Sequence, residues 1–145
     1  MSTAEYEVSI HKDAVTVYNF LADGLKNIEW REGVRSVALR SGAKGAKGAI
    51  YQQTLAGPGG RPIAGDYEIT VARPGAELQF QVVAGPARPH GGFYLSSDGD
   101  STRVRFVLDY VPKGLMKIMG SMVQKSMLTE VAQLERLKEV LEAAD

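Results

Sequence analysis

Cysteine is absent from the 145 residues, and imidazole occurs twice, at His11 and His90. There is no thiolate nucleophile, disulfide or Cys-ligated metal. Two distant histidines give no H-x3-H spacing, and Asp98 and Asp100 read as hairpin residues, so neither metal nor cofactor is expected. No G-x-S-x-G elbow marks a hydrolase nucleophile, although a dispersed Ser-His-Asp set would leave no local signature. The segment Gly42-Ala43-Lys44-Gly45-Ala46-Lys47-Gly48 lacks the G-K-[ST] ending of a phosphate loop, and its lysines read as solvating a turn. His11 follows an apolar strand with no carboxylate in a telling register. His90 sits in Ala84-Gly85-Pro86-Ala87-Arg88-Pro89-His90-Gly91-Gly92, between two apolar runs, where the bland alternative is a solvated loop histidine. Glu130 is out of place among Val123, Met127, Leu134 and Leu137. Buried, it needs a partner or an upward pKa shift; at the edge of the apolar stripe it reaches solvent.

The elements that must position these groups follow from periodicity. Glu5–Ile10 alternates as a half-buried strand. Asp13 is a plausible N-cap for a helix over Ala14–Leu21 with Val15, Tyr18 and Leu21 on one face, and a short helical piece covers Leu25–Trp30. Strands are predicted at Val34–Leu39, Ala49–Leu55, Ile63–Ala72, Leu78–Val82, Phe93–Ser97 and Thr102–Tyr110, divided by Gly- and Pro-rich turns. Alternation places Tyr67, Phe80 and Phe106 on the apolar side of their strands, with Tyr51 and Tyr94 less determined.

The chain closes on an amphipathic helix predicted over Pro112–Asp145. Leu115, Met119, Met122, Val123, Met127, Val131, Leu134, Leu137 and Leu141 recur at three- and four-residue steps, and Pro112 suits a helix start. Four of the five methionines fall in its first half, beside Gly114, Gly120 and Ser121. Their pliable thioethers suit a variable neighbour, or else fill gaps in a core; the leucine-rich second half suits fixed packing. An antiparallel meander of about seven strands curls, and this helix is the apolar surface large enough to cover its concave side.

Length fits one domain over residues 1–145. Seventeen basic residues balance seventeen acidic ones, which disfavours a nucleic-acid partner. The opening MSTAEYEVSI lacks a signal-peptide pattern and no window approaches about 18 apolar residues, so a cytoplasmic chain without an integral membrane segment is expected.

Strand, helix pair, six-stranded meander and long closing helix, with Val8-Ser9-Ile10 before Asp13-Ala14-Val15, a lone Trp30 after the second helix, and Gly99-Asp100-Ser101-Thr102-Arg103-Val104 entering the last strand, resemble the START-like superfamily. That superfamily groups polyketide cyclase/dehydrase, lipid-transport and birch-pollen-allergen-like helix-grip proteins. The resemblance implies an α+β helix-grip fold enclosing an apolar cavity between sheet and helix. It implies binding of a small apolar molecule, a lipid, polyketide or isoprenoid, walled by Tyr67, Phe80, Phe106, Met119 and Met122 with Trp30 and His90 nearer the mouth. It implies, as an alternative, a cyclase or dehydrase in which His90 is the acid/base group and Tyr67 or Tyr94 a hydrogen-bonding phenol. A third reading makes the methionines a protein-interaction surface. Fold alone does not choose among these.

Overall fold

The computed structural model describes residues 2–114, 117 and 119–144. Ser2–Ile10 (β1) buries Ala4, Val8 and Ile10 on one face and pairs along its whole length with the last strand. Helix α1 (Ala14–Ala22) opens at Asp13, whose carboxylate accepts from the Thr16 amide at 3.2 Å, as the cap signal predicts. Its buried face is Val17, Tyr18, Leu21 and Ala22. Val15, expected on that face, is instead 56 % exposed, because the stripe runs through 14, 17, 18 and 21 rather than 15. A 3₁₀ turn (Gly24–Lys26) and one turn of helix, α2 (Asn27–Trp30), complete the helical segment.

The remaining strands are β2 (Val34–Ser41), β3 (Ile50–Ala56), β4 (Pro62–Ala64), β5 (Tyr67–Arg73), β6 (Glu77–Val82), β7 (His90–Asp98) and β8 (Ser101–Tyr110). They form one antiparallel sheet in the order β1-β8-β7-β6-β5-β3-β2, with β4 paired to β3 off that path. The run expected as a single strand over Ile63–Ala72 is split at Gly65-Asp66. There the Gly65 amide donates to the Gln53 carbonyl at 2.8 Å and the Asp66 carboxylate accepts from the Gln53 amide at 3.2 Å. The strand that pairs with β3 thus changes from β4 to β5.

Helix α1 packs against β6, β7 and β8, over the middle of the concave face. The closing helical segment, α3 (Gly120–Val131) and α4 (Leu134–Ala143), lies along β1, and α3 also reaches β8. Pro112 and Lys113 are not helical and Gly114 has φ +57°, while Leu115, expected on the apolar face, and Met116, one of the four methionines of the first half, lie outside the described residues. Between α3 and α4 the spiral tightens for one turn. Gln133 N bonds Glu130 O at 3.2 Å and Arg136 N bonds Gln133 O at 2.9 Å, three residues back rather than four. Met127, Val131, Leu134, Leu137 and Leu141 are buried in one line across this turn. Gln124 and Lys138 donate to the Thr3 and Ser9 carbonyls of β1, and the His11 amide donates to Glu142. Expectation and structure therefore agree on a curved sheet held by a C-terminal helix.

Candidate functional site

The interior between α1, α2 and the sheet is walled by aromatic rings. Trp30, at the end of α2, meets Phe93 and Phe106 edge-on at 6.0 and 6.3 Å between centroids. Phe93 and Phe106 lie 4.3 Å apart, Phe80 sits 5.6 Å from Tyr67, and Tyr67 stacks on Tyr51 at 5.3 Å. Such contacts add to simple area burial and fix ring orientations. Glycine makes two of them feasible. A Cβ on Gly24 would overlap the Tyr67 hydroxyl and the Tyr51 ring, and one on Gly91 would overlap the Phe80 ring, so the chain passes close only where no side chain stands.

Packing leaves a small cavity, about 10 Å³, lined by Leu21, Asn27, Arg31, Tyr67, Ile69, Leu78, Phe80 and Phe93. That is about the least space that holds one water. Five of its walls are apolar and three carry hydrogen-bonding groups. The Asn27 amide donates to Tyr67 Oη at 2.8 Å and to Gln53 Oε1 at 3.1 Å, all buried. Tyr67 Oη accepts there, and among the described residues its own proton has no acceptor. Burial pushes the Tyr67 phenol above its ordinary pKa of 10.0, while the Asn27 hydrogen bond and the Arg31 charge pull the other way. The phenol is therefore a neutral donor.

Arg31 begins the segment after α2, with a side chain only 11 % exposed, and its Nε donates to Glu130 Oε1 at 2.8 Å. Its Nη2 donates to the same oxygen, and the guanidinium lies 5.8 Å from the Trp30 ring centroid. Glu130, out of place on the apolar side of its helix, thus has a partner, and its side chain remains 30 % exposed. Gln133 Oε1 accepts from the Glu32 amide at 3.1 Å, so α3 and α4 are joined to the end of α2 by two neighbouring links. Outside them lies a surface groove of about 540 Å³ between α2 and α4. Arg31 is the residue common to the inner cavity and this groove. The Arg31–Glu130 pair stands between them.

Of the residues singled out from the sequence, Tyr67 and Phe80 line the cavity, and Trp30 and Phe106 stand directly behind its wall. Met119 is half-buried at the start of α3 and Met122 is 62 % exposed on it. His90 is not in a loop but opens β7, paired between Gln81 and Asp109. Strand alternation puts His90, like Tyr94, on the face opposite Phe93, and Tyr94 there lies under Arg105 at 5.1 Å. Asn27, Arg31 and Phe93 line the cavity without having been singled out. Neither polar residue had a readable signal: Asn27 shares its short helix with Glu29 and follows Lys26, as a water-facing amide would, and Arg31 stands just beyond it. Among the described residues no group of three His, Asp or Glu side chains could hold a metal ion, and no helix is long and apolar enough to cross a membrane.

The sequence matches the family described as polyketide cyclase / dehydrase and lipid transport over residues 1–142. No curated protein matches it in sequence. Among solved structures, TTHA0849 from Thermus thermophilus is similar at 23 % identity and TM-score 0.77, covering 99 % of each chain. A START superfamily protein from Mycobacterium smegmatis is similar at 17 % identity and TM-score 0.74, over 99 % of this chain and 96 % of that one. The Zhui aromatase/cyclase from Streptomyces sp. R1128 is similar at 13 % identity and TM-score 0.73, over 95 % and 94 %. At these identities the likenesses establish the fold and not a reaction. With the family matched over nearly all its length, the chain belongs to the polyketide cyclase/dehydrase and lipid-transport family of the START-like, helix-grip superfamily.

Proposed function

We propose that the chain binds a small apolar molecule between the sheet and its helices, in a state opened from the one described. The observation that carries this reading is the composition of the cavity wall. Leu21, Ile69, Leu78, Phe80 and Phe93 supply an apolar surface and Asn27, Arg31 and Tyr67 supply three converging polar groups, the mixture by which such sites bury and orient a ligand. A volume of about 10 Å³ admits no such ligand, so binding requires the helices to part. Helix α3 is suited to that movement: of its twelve residues only Met127 and Val131 are buried, and segments with few buried contacts open at low cost. The experiment is native mass spectrometry of the protein as purified from cells, with titration of an environment-sensitive apolar fluorophore. A retained small molecule or saturable probe uptake is expected, and neither appearing would overturn the reading.

Tyr67 favours a second reading, an enzyme of the cyclase or dehydrase kind working in the same cavity. A buried neutral phenol, held by Asn27 and with no acceptor for its proton among the described residues, is placed to donate a hydrogen bond to an oxygen that gains negative charge, as a carbonyl does on enolisation. His90, on the other face of β7, has no part in this reading. If a substrate is turned over, Tyr67→Phe is expected to lower kcat by about 10²–10³-fold with binding retained. Unchanged kcat would remove the phenol from the mechanism.

A further inference from the structure

We infer that the ligand is an apolar acid, and that its carboxylate replaces Glu130 on Arg31. This rests on the binding function proposed above and specifies the ligand's polar end. Arg31 commits two donors, Nε and Nη2, to a single oxygen of Glu130, and among the described residues its remaining donors have no acceptor. Tyr67 adds an unused O–H at the same cavity, and Asn27 already points its amide donors inward to Tyr67 and Gln53. The polar end of the cavity is thus rich in donors, and its complement is an acceptor. An anionic oxygen satisfies it best, because hydrogen bonds to charged groups are the strong ones.

The two partners of the ion pair differ in a way that favours the exchange. Arg31, 11 % exposed and set beside the Trp30 ring, has little access to water, and a largely buried guanidinium left unpaired is costly. Glu130, 30 % exposed and at the edge of its helix stripe, can turn outward into solvent. A ligand carboxylate entering by the groove between α2 and α4, past Arg136 and the rim carboxylates Glu29, Glu32 and Glu139, meets Arg31 where the groove adjoins the cavity, displaces a side chain that has somewhere to go, and keeps the arginine paired throughout. Its apolar body then lies against Phe80, Phe93 and Leu78. In the absence of ligand, Glu130 occupies the carboxylate position and holds the site closed.

The test compares pyrenebutanoate with pyrenebutanol, which share an apolar body and differ in the end group, by pyrene emission in wild type, Glu130→Gln and Arg31→Met. Expected is tighter binding of the acid than of the alcohol by about tenfold or more in wild type, the scale of one hydrogen-bonded charge. The acid-to-alcohol ratio should rise further in Glu130→Gln, where the internal competitor is neutral, and fall to about one in Arg31→Met. Equal affinities in wild type, with Glu130→Gln moving both alike, would overturn the exchange while leaving apolar binding intact. Failure of both probes to bind wild type and Glu130→Gln would overturn the binding function and this inference with it.

Discussion

Phe93→Ala is expected to lower the free energy of unfolding by about 3–5 kcal/mol and, in the same protein, to raise affinity for a small apolar probe. The ring is 4 % exposed, lies against Phe106, Phe80 and Trp30, and forms one wall of the small cavity. Its loss removes the transfer energy of a large apolar side chain and leaves a void that rigid aromatic neighbours cannot refill. That void joins the existing space, and apolar cavities of this kind stay dry and take up apolar molecules. Urea denaturation with an unchanged slope, paired with probe titration, checks both halves. A stability loss under about 1 kcal/mol would mean that the interior collapses around the missing ring, and the rigid aromatic wall would have to be abandoned.

The second large effect separates the two parts of the closing helix. Leu137, fully buried on α4, should cost about 2–5 kcal/mol when cut to alanine. Met122, 62 % exposed on α3, should change stability by no more than about 0.5 kcal/mol. Chemical denaturation of the two variants side by side decides it. Equal losses would show that the outer face of α3 is covered in solution.

Most of the architecture is written locally. Alternation at Val104, Phe106, Leu108 and Tyr110, the cap at Asp13 and the glycine turns act over a few residues, which is the range over which sequence patterns can be read. What stayed hidden depends on contacts between distant segments. Arg31 finds Glu130 99 residues away, and nothing near either one announces the pairing. The turn between α3 and α4 has neither proline nor glycine to announce it, and it falls where Glu130 and Gln133 link to the segment after α2. Pro86 and Pro89 made the stretch before Phe93 read as loop, yet β7 starts directly after Pro89, where a missing N–H is tolerated. Alternation put Tyr67 and Phe80 on the inward side of their strands, where both border the small cavity; it carried no information on Asn27, in a short helix, or Arg31, just after it, because polar residues there usually face water.

The two margins of the sheet are protected by different means. Along β1, the Thr3 and Ser9 carbonyls accept from Gln124 and Lys138, so helix side chains occupy hydrogen-bonding positions that an incoming strand would need. Along β2, the ladder to β3 shifts register twice, between Val34 and Ser36 and between Leu39 and Ser41, and Arg35 and Arg40 project from the exposed strand. Irregular pairing and charge at an edge are how open sheets avoid templating one another. The fold can therefore keep an unclosed sheet without presenting a straight edge to which a second molecule of itself could add.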